Sequence, residues 1–259
     1  LRDKIPEASK QQRIAALESA MRSMLERGVT SCTVPGQSPE NLALLNELAA
    51  QPSAAKLRVT GLVMAGHSVS TLATALAGRA SISQLHPRWL QLPGVKRLGD
   101  GIPTQNKTAW LHEPYESGGN GSLLVAGESN ADKVAEINRM IDMIHAEGLQ
   151  IGTHVTGDRS IDTVVAAYSR VQSGGGRADP RHYVIHADMV SHETLAVMHD
   201  QQIGANFNPE IKYLTADSQV SNLGAQRAAH EWPYASALRA GVVVASSSDA
   251  PVTEGNWLQ

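Results

Sequence analysis

Residues 129–155, SNADKVAEINRMIDMIHAEGLQIGTHV, hold one helix and the strand that follows it. Ser129 reads as the helix cap, because its hydroxyl can accept from the free amides of the first turn. Val134, Ile137, Ile141 and Ile144 then recur at the helical period and share one face. Gly148 ends the helix, and Leu149 to Val155 reads as a strand. Helix, glycine and strand in direct succession form the repeating unit of a parallel sheet with helical crossovers.

The same unit recurs upstream. Ile14, Leu17, Met21, Met24 and Leu25 line a helix that Gly28 ends, and the β-branched run from Val29 to Val34 follows. Ser38 and Pro39 open a second helix with Leu42, Leu45 and Leu48 on one side. Next come a strand from Leu57 to Met64, a helix from Thr71 to Ala77 and a short strand from Val95 to Leu98. Gly99 to Gly127 is irregular and rich in Gly, Pro and Asn, which is long for a compact domain and points to a functional role.

Downstream, Ile161, Val164, Val165 and Tyr168 mark a helix, Ser173 to Gly176 a Gly-rich loop, and Tyr183 to His186 a strand. Ser191 caps a short helix, Ile203 to Phe207 is a strand, a helical region runs to Gly241, and Val242 to Ala245 is the last strand. Seven strands thus alternate with seven helices. The series opens on a helix and closes just after a strand, as an eight-unit barrel would without strand one and its terminal segments. The expectation is an α/β fold: a (β/α)8 TIM-type barrel, incomplete, occupying 1–259 as one domain. A length of 259 residues suits such a barrel, which commonly needs about 250.

Composition narrows the function class. A net charge of −3 with no Lys or Arg run argues against nucleic acid or an anionic membrane as partner, and no apolar stretch reaches membrane-spanning length. The expected partner is therefore a small molecule; nothing in the sequence specifies an oligomeric state. The lone Cys32 excludes an internal disulfide and suits a reducing compartment, so the expected location is cytoplasmic. The chain starts at Leu1, which reads as an N-terminus lacking an upstream segment.

Barrel enzymes build their sites at the C-terminal ends of the strands. There the sequence offers Lys96, His154, His186 and Asp249 on four successive or near-successive units. Two imidazoles and a carboxylate are good ligands for zinc or a similar divalent ion. Alone, a strand histidine is more often a hydrogen-bonded core group than a ligand, and Ser-Asp-Ala-Pro is ordinary turn chemistry. Their joint occurrence at strand ends is what points to a site. His182, four residues before His186, points to the opposite end of the barrel and is left out. His67, after the third expected strand, reads as a solvated loop residue.

Val95-Lys96 with Asp100-Gly101, Thr108-Ala109, Pro114-Tyr115, GLQIGTHVTGD at 148–158, His182 to His186 with Asp188, and Ser248-Asp249-Ala250-Pro251 occur in one order along the chain. In these motifs it resembles the amidohydrolase 3 group, also called YtcJ-like, from about Gly28 to Val252. The resemblance implies a metal-dependent hydrolase of non-peptide C–N bonds: N-acyl, N-formyl or cyclic amides. It implies one or two divalent ions, zinc by default, held by Lys96 in carboxylated form, His154, His186 and Asp249, with Asp249 also the proton carrier. Asp158 and Asp188 fall where partners orient ligand imidazoles. Lys107, Trp110 and Tyr115 fall in the substrate-facing loop. Three departures stand out: no strand-one His-x-His, Lys107 where relatives often have Arg, and Asn208-Pro209 where Gln-Pro is frequent. A barrel with a decayed site that only binds a ligand is the rival reading. A nucleotide-binding open sheet is disfavoured, because no glycine-rich phosphate loop opens a helix.

Overall fold

The helix starts are fixed by side chains that satisfy first-turn amides. Ser129 Oγ accepts from Asp132 N, and Asp132 answers to Ser129 N at 3.0 Å, closing a capping box at the head of α4 (Asn130–Ala146). Ser9 and Gln12 do the same for α1 (Lys10–Glu26), Ser38 caps α2 (Pro39–Ala50), Ser68 with Thr71 caps α3 (Val69–Ala80) and Ser191 caps α6 (His192–Asp200). Helix α5 (Asp158–Ser173) starts at Gly157 without a side-chain cap; Asp158 in its first turn complements the helix dipole.

The computed structural model describes residues 6–82, 84–104, 106–175 and 178–256. Among these, seven strands form one parallel sheet in sequential order: β1 (Ser31–Gln37), β2 (Arg58–Met64), β3 (Leu90–Leu98), β4 (Gln150–Val155), β5 (Tyr183–His186), β6 (Gly204–Phe207) and β7 (Val244–Ser246). Sequential order with every crossover helical is the wall of a (β/α)8 barrel. A cavity of about 1600 Å³ is lined from both β1 and β7, so the sheet curls until its first and last strands face one space. Among the described residues no strand closes that gap, and the architecture is an incomplete barrel. No described helix is long and apolar enough to cross a membrane.

Two elements depart from the sequence expectation. Strand β3 begins at Leu90, well before Val95, because the β2–β3 register slips between Thr60 and Leu62. The bulge absorbs Pro93, which has no amide proton for the ladder and hides the strand from a reading by propensity. The helical region before Gly241 is three helices: α7 (Pro209–Leu223), α8 (Ala225–Ala229) and α9 (Tyr234–Arg239). Gly224, at φ +80, separates the first two. Gly176 of the expected Gly-rich loop lies outside the described residues.

The core lies between sheet and helices. Ile137, Met140, Ile141 and Ile144 of α4 and Ile161, Val164 and Tyr168 of α5 lose all exposure against the strands. Of helix α1 only Met21 is buried, and Leu17, Met21 and Met24 all line the open cavity.

Candidate metal centre

Strand β3 carries two consecutive buried cations on opposite faces, as pleating requires. Arg97 faces the helices, where Nη2 lies 3.6 Å from Met140 Sδ. Lys96 faces the barrel interior: its Cγ lies 3.5 Å from where a Cβ on Gly36 of β1 would be. Burial lowers the Lys96 pKa to about 8, with the Asp249 carboxylate pulling the other way.

His154 and His186 come from adjacent strands and meet edge to face, with ring centroids 4.5 Å apart. Burial keeps both neutral. It lowers the His154 pKa to about 4, helped by Lys96 and opposed by the Gly101 carbonyl, which accepts from Nε2 at 2.8 Å. The His186 pKa is also pushed well below its ordinary value, by burial first and then by the neighbouring His154 and Lys96, while a hydrogen bond to Asn208 opposes. His186 ends β5 at φ +73 and Ala187 follows at +49. Left-handed backbone at such residues costs about 1–3 kcal/mol each and clusters at functional sites. The Ala187 amide, donating to Val155 O at 3.0 Å, helps to hold the turn.

Asp249 follows β7, partly buried and at φ +54. Burial raises its pKa, and Lys96 counters that. Lys96, His154, His186 and Asp249 are thus electrostatically linked.

The donor chemistry fits a divalent cation. His154 gives its Nε2–H to a carbonyl, which leaves the lone pair on Nδ1, the arrangement common behind metal-bound imidazoles. Among the described residues no three His, Cys, Asp or Glu side chains cluster within ligating reach. An ammonium has no lone pair to give; a lysine whose pKa is brought towards neutrality is readily converted to an anionic carbamate.

The remaining expected residues take other places. Trp110 and Tyr115 are buried in the packing of the long loop, Tyr115 giving its hydroxyl proton to Ala109 O at 2.9 Å. Arg159 lies 4.5 Å over the Trp110 ring. Lys107 Nζ donates to Ser117 Oγ at 2.6 Å. Asp158 Oδ1 accepts from the His112 and Arg159 amides, at 2.9 and 2.7 Å. Asp188 is buried with Oδ1 unpartnered among the described residues; burial, then Glu231 and Asp100, push its pKa far up. His182 sits at the other end of the sheet, its Nδ1 accepting from Ile151 N at 3.1 Å and its Nε2 2.9 Å from His145 Nδ1. His67 is exposed, and its carbonyl accepts from Ala126 N at 2.7 Å.

Two residues that the sequence shows only as motif positions lie near the histidines. Asn208 is buried beside His186 and donates through Nδ2 to Ser247 O and Oγ at 3.0 and 2.9 Å. Asp100 is buried with four donors on its carboxylate. The signal for Asp100 was its place directly after β3, beside Gly101.

Comparison with known proteins follows the same line. A sequence profile described as amidohydrolase family matches residues 1–256. The chain is 29% identical over 171 residues to Protein LONG AFTER FAR-RED 3 of Arabidopsis thaliana, covering 66% of this chain and 28% of that protein. It is 21% identical over 171 residues to the putative amidohydrolase YtcJ of Bacillus subtilis (strain 168), covering 66% and 31%. An uncharacterized metal-dependent hydrolase from Pyrococcus furiosus superposes with a TM-score of 0.80 at 21% identity, over 99% of this chain and 50% of that one. One from Pyrococcus horikoshii OT3 gives 0.78 at 18%, over 96% and 47%. At such identities the structures speak for the fold. The chain spans about half the length of these structures and under a third of the curated relatives.

Proposed function

The chain belongs to the amidohydrolase family, and from that premise we propose that it carries the metal-holding wall of a hydrolase that cleaves a non-peptide C–N bond in a small molecule. N-acyl, N-formyl and cyclic amides are the substrate classes. The observation that carries the reading is the neutral pair His154 and His186, crossed at 4.5 Å at the ends of adjacent strands, with Lys96 turned into the same interior.

His154 and His186 would hold a divalent ion, with Lys96 as a further ligand after its amine adds CO2 and loses a proton to give a carbamate. When bound, the ion supplies Lewis acidity and a water that ionises near neutral pH. Zinc suits a site with two imidazoles, and iron or manganese would suit the same donors. Asp249 accepts the proton released and returns it to the leaving nitrogen. A carboxylate whose pKa is raised by burial suits a group that must hold a proton in passing.

A second reading is a barrel that binds a ligand through a decayed site. It is favoured by the lack of any three-residue His, Cys, Asp or Glu cluster among the described residues. Elemental analysis after incubation with zinc and bicarbonate, paired with a panel of N-acyl and N-formyl amides, separates the two. Bound metal with amide turnover supports the hydrolase. Neither metal nor turnover would favour the decayed barrel.

A further inference from the structure

The segment 99–101 brackets His154 from two sides. Gly99 N donates to the His154 carbonyl at 2.8 Å, and the Gly101 carbonyl accepts from His154 Nε2 at 2.8 Å. Between them Asp100 is fully buried. Its Oδ1 accepts from Thr156 N at 3.0 Å; its Oδ2 accepts from Trp110 N at 2.9 Å, Gly157 N at 3.0 Å and Ser160 Oγ at 2.5 Å. Three of these donors belong to the turn after β4 and the start of α5, and the fourth to the long loop. One carboxylate therefore joins the end of β3, the loop that leaves it and the turn just past His154.

There is little slack in this joint. A Cβ on Gly101 would lie 2.0 Å from Thr108 Oγ1, and one on Gly157 would lie 2.3 Å from Trp110 O. Thr156 Oγ1 donates to the same Gly101 carbonyl at 2.8 Å, so that oxygen is held from both sides. A carbonyl can only accept, so the nitrogen facing it must carry hydrogen. A neutral imidazole has a single N–H, and the other nitrogen keeps its lone pair.

We infer that Asp100 is a positioning residue that fixes His154 as the Nε2–H tautomer through the Gly101 carbonyl and so leaves Nδ1 free to ligate. Its purpose rests on the metal-centre reading above, but the tautomer is a property of the metal-free chain. Carbonyls placed behind ligand imidazoles act by fixing tautomer and ring orientation, and their loss typically weakens metal binding by about 10–100-fold. Asp100 would do this indirectly, by holding the carbonyl rather than the ring.

The test uses the 259-residue protein, metal-free and labelled with 15N at histidine, with two-bond 1H–15N correlation to read each tautomer. The His154 signal is identified by its loss in His154→Gln. The wild type should show Nε2–H with a slowly exchanging proton. Asp100→Asn, with an unchanged far-UV circular dichroism spectrum, should give a mixture of tautomers, faster exchange and zinc binding about 10–100-fold weaker. Should that variant not fold, Ser160→Ala removes one of the four donors and should speed the same exchange to a lesser degree. An Nδ1–H tautomer in the wild type would overturn the inference, as would an unaltered tautomer and exchange rate in folded Asp100→Asn, or in Ser160→Ala where that is the variant read. A correct tautomer in a protein that binds no metal and turns over no amide would sink the hydrolase reading and leave this one standing.

Discussion

Lys96 and Arg97 are neighbours in β3, both almost wholly buried, and each faces a different interior. Lys96 has the Asp249 charge in reach and two imidazoles beside it. Arg97 feels Tyr168 and Glu136, yet Nε and Nη1 find no hydrogen-bond partner among the described residues, and burial lowers its pKa to about 10. One strand thus holds a cation in the candidate site and another in the packing behind it.

Replacing Arg97 by Met should stabilise the fold. A buried charge with no carboxylate in direct hydrogen-bonding contact among the described residues costs more than an apolar side chain of similar volume, and swaps of buried ionic groups for apolar ones have gained about 1–4 kcal/mol. The urea midpoint should rise at unchanged slope. A fall by more than about 1 kcal/mol would mean that Arg97 is better satisfied than its contacts indicate.

Glu231 makes stability depend on pH. Burial raises its pKa to about 8 against the opposing pull of Lys212, and its Oε1 lacks a partner among the described residues. The folded state therefore holds this proton more tightly than the unfolded one, whose glutamate titrates near about 4.3. The contribution is whole below that value and is lost as pH rises to about 8. Glu231→Gln should remove this fall, so the stability gap between variant and wild type should widen from pH 5 to pH 8 in urea titrations. A gap that stays constant across this range would refute the assignment.

Gly157→Ala should loosen the long loop. The added Cβ would run into the Trp110 backbone, at 2.3 Å from its O and 2.7 Å from its N, and backbone cannot swing away as a side-chain tip can. Overpacking of this kind costs about 1–3 kcal/mol. Limited proteolysis should cut faster between Lys107 and Gly127 in the variant, and equal cutting rates would show that the loop is anchored elsewhere.

How far the sequence foretold all this follows from the range of each interaction. The α4–β4 unit was legible because Ser129, the Val134 to Ile144 stripe and Gly148 act within a few residues of one another. The alternation of strand and helix, and with it the strand-end positions of Lys96, His154 and His186, followed from such local units. The early start of β3 was hidden by Pro93, whose place in the ladder depends on a bulge opposite β2. Asp100 was visible as a residue but not as a hub, since its donors lie 10, 56, 57 and 60 positions away. Asp158 looked like a partner for His154 by proximity in the chain, yet its carboxylate turns to the His112 and Arg159 amides. Proximity along a turn does not say which way a side chain leaves it.

Asp249→Asn should preserve the fold and stop the chemistry. Asp249 sits at φ +54, a left-handed conformation that asparagine tolerates as well as aspartate does, so the backbone of the Ser248 to Pro251 turn has no reason to move. The contact between Ala250 N and Ser248 Oγ, at 3.3 Å, does not involve the substituted carboxylate. What the amide cannot do is take up and release a proton near neutral pH. If Asp249 carries the proton, kcat for an amide substrate in metal-loaded protein should fall by about 10²-fold or more, with KM changed far less. Asp249→Ala is the contrasting variant, since alanine lacks the local hydrogen bonding that makes the left-handed region tolerable: it should lose turnover and also melt earlier. Turnover near the wild-type value in Asp249→Asn, with metal retained, would exclude Asp249 as the proton carrier.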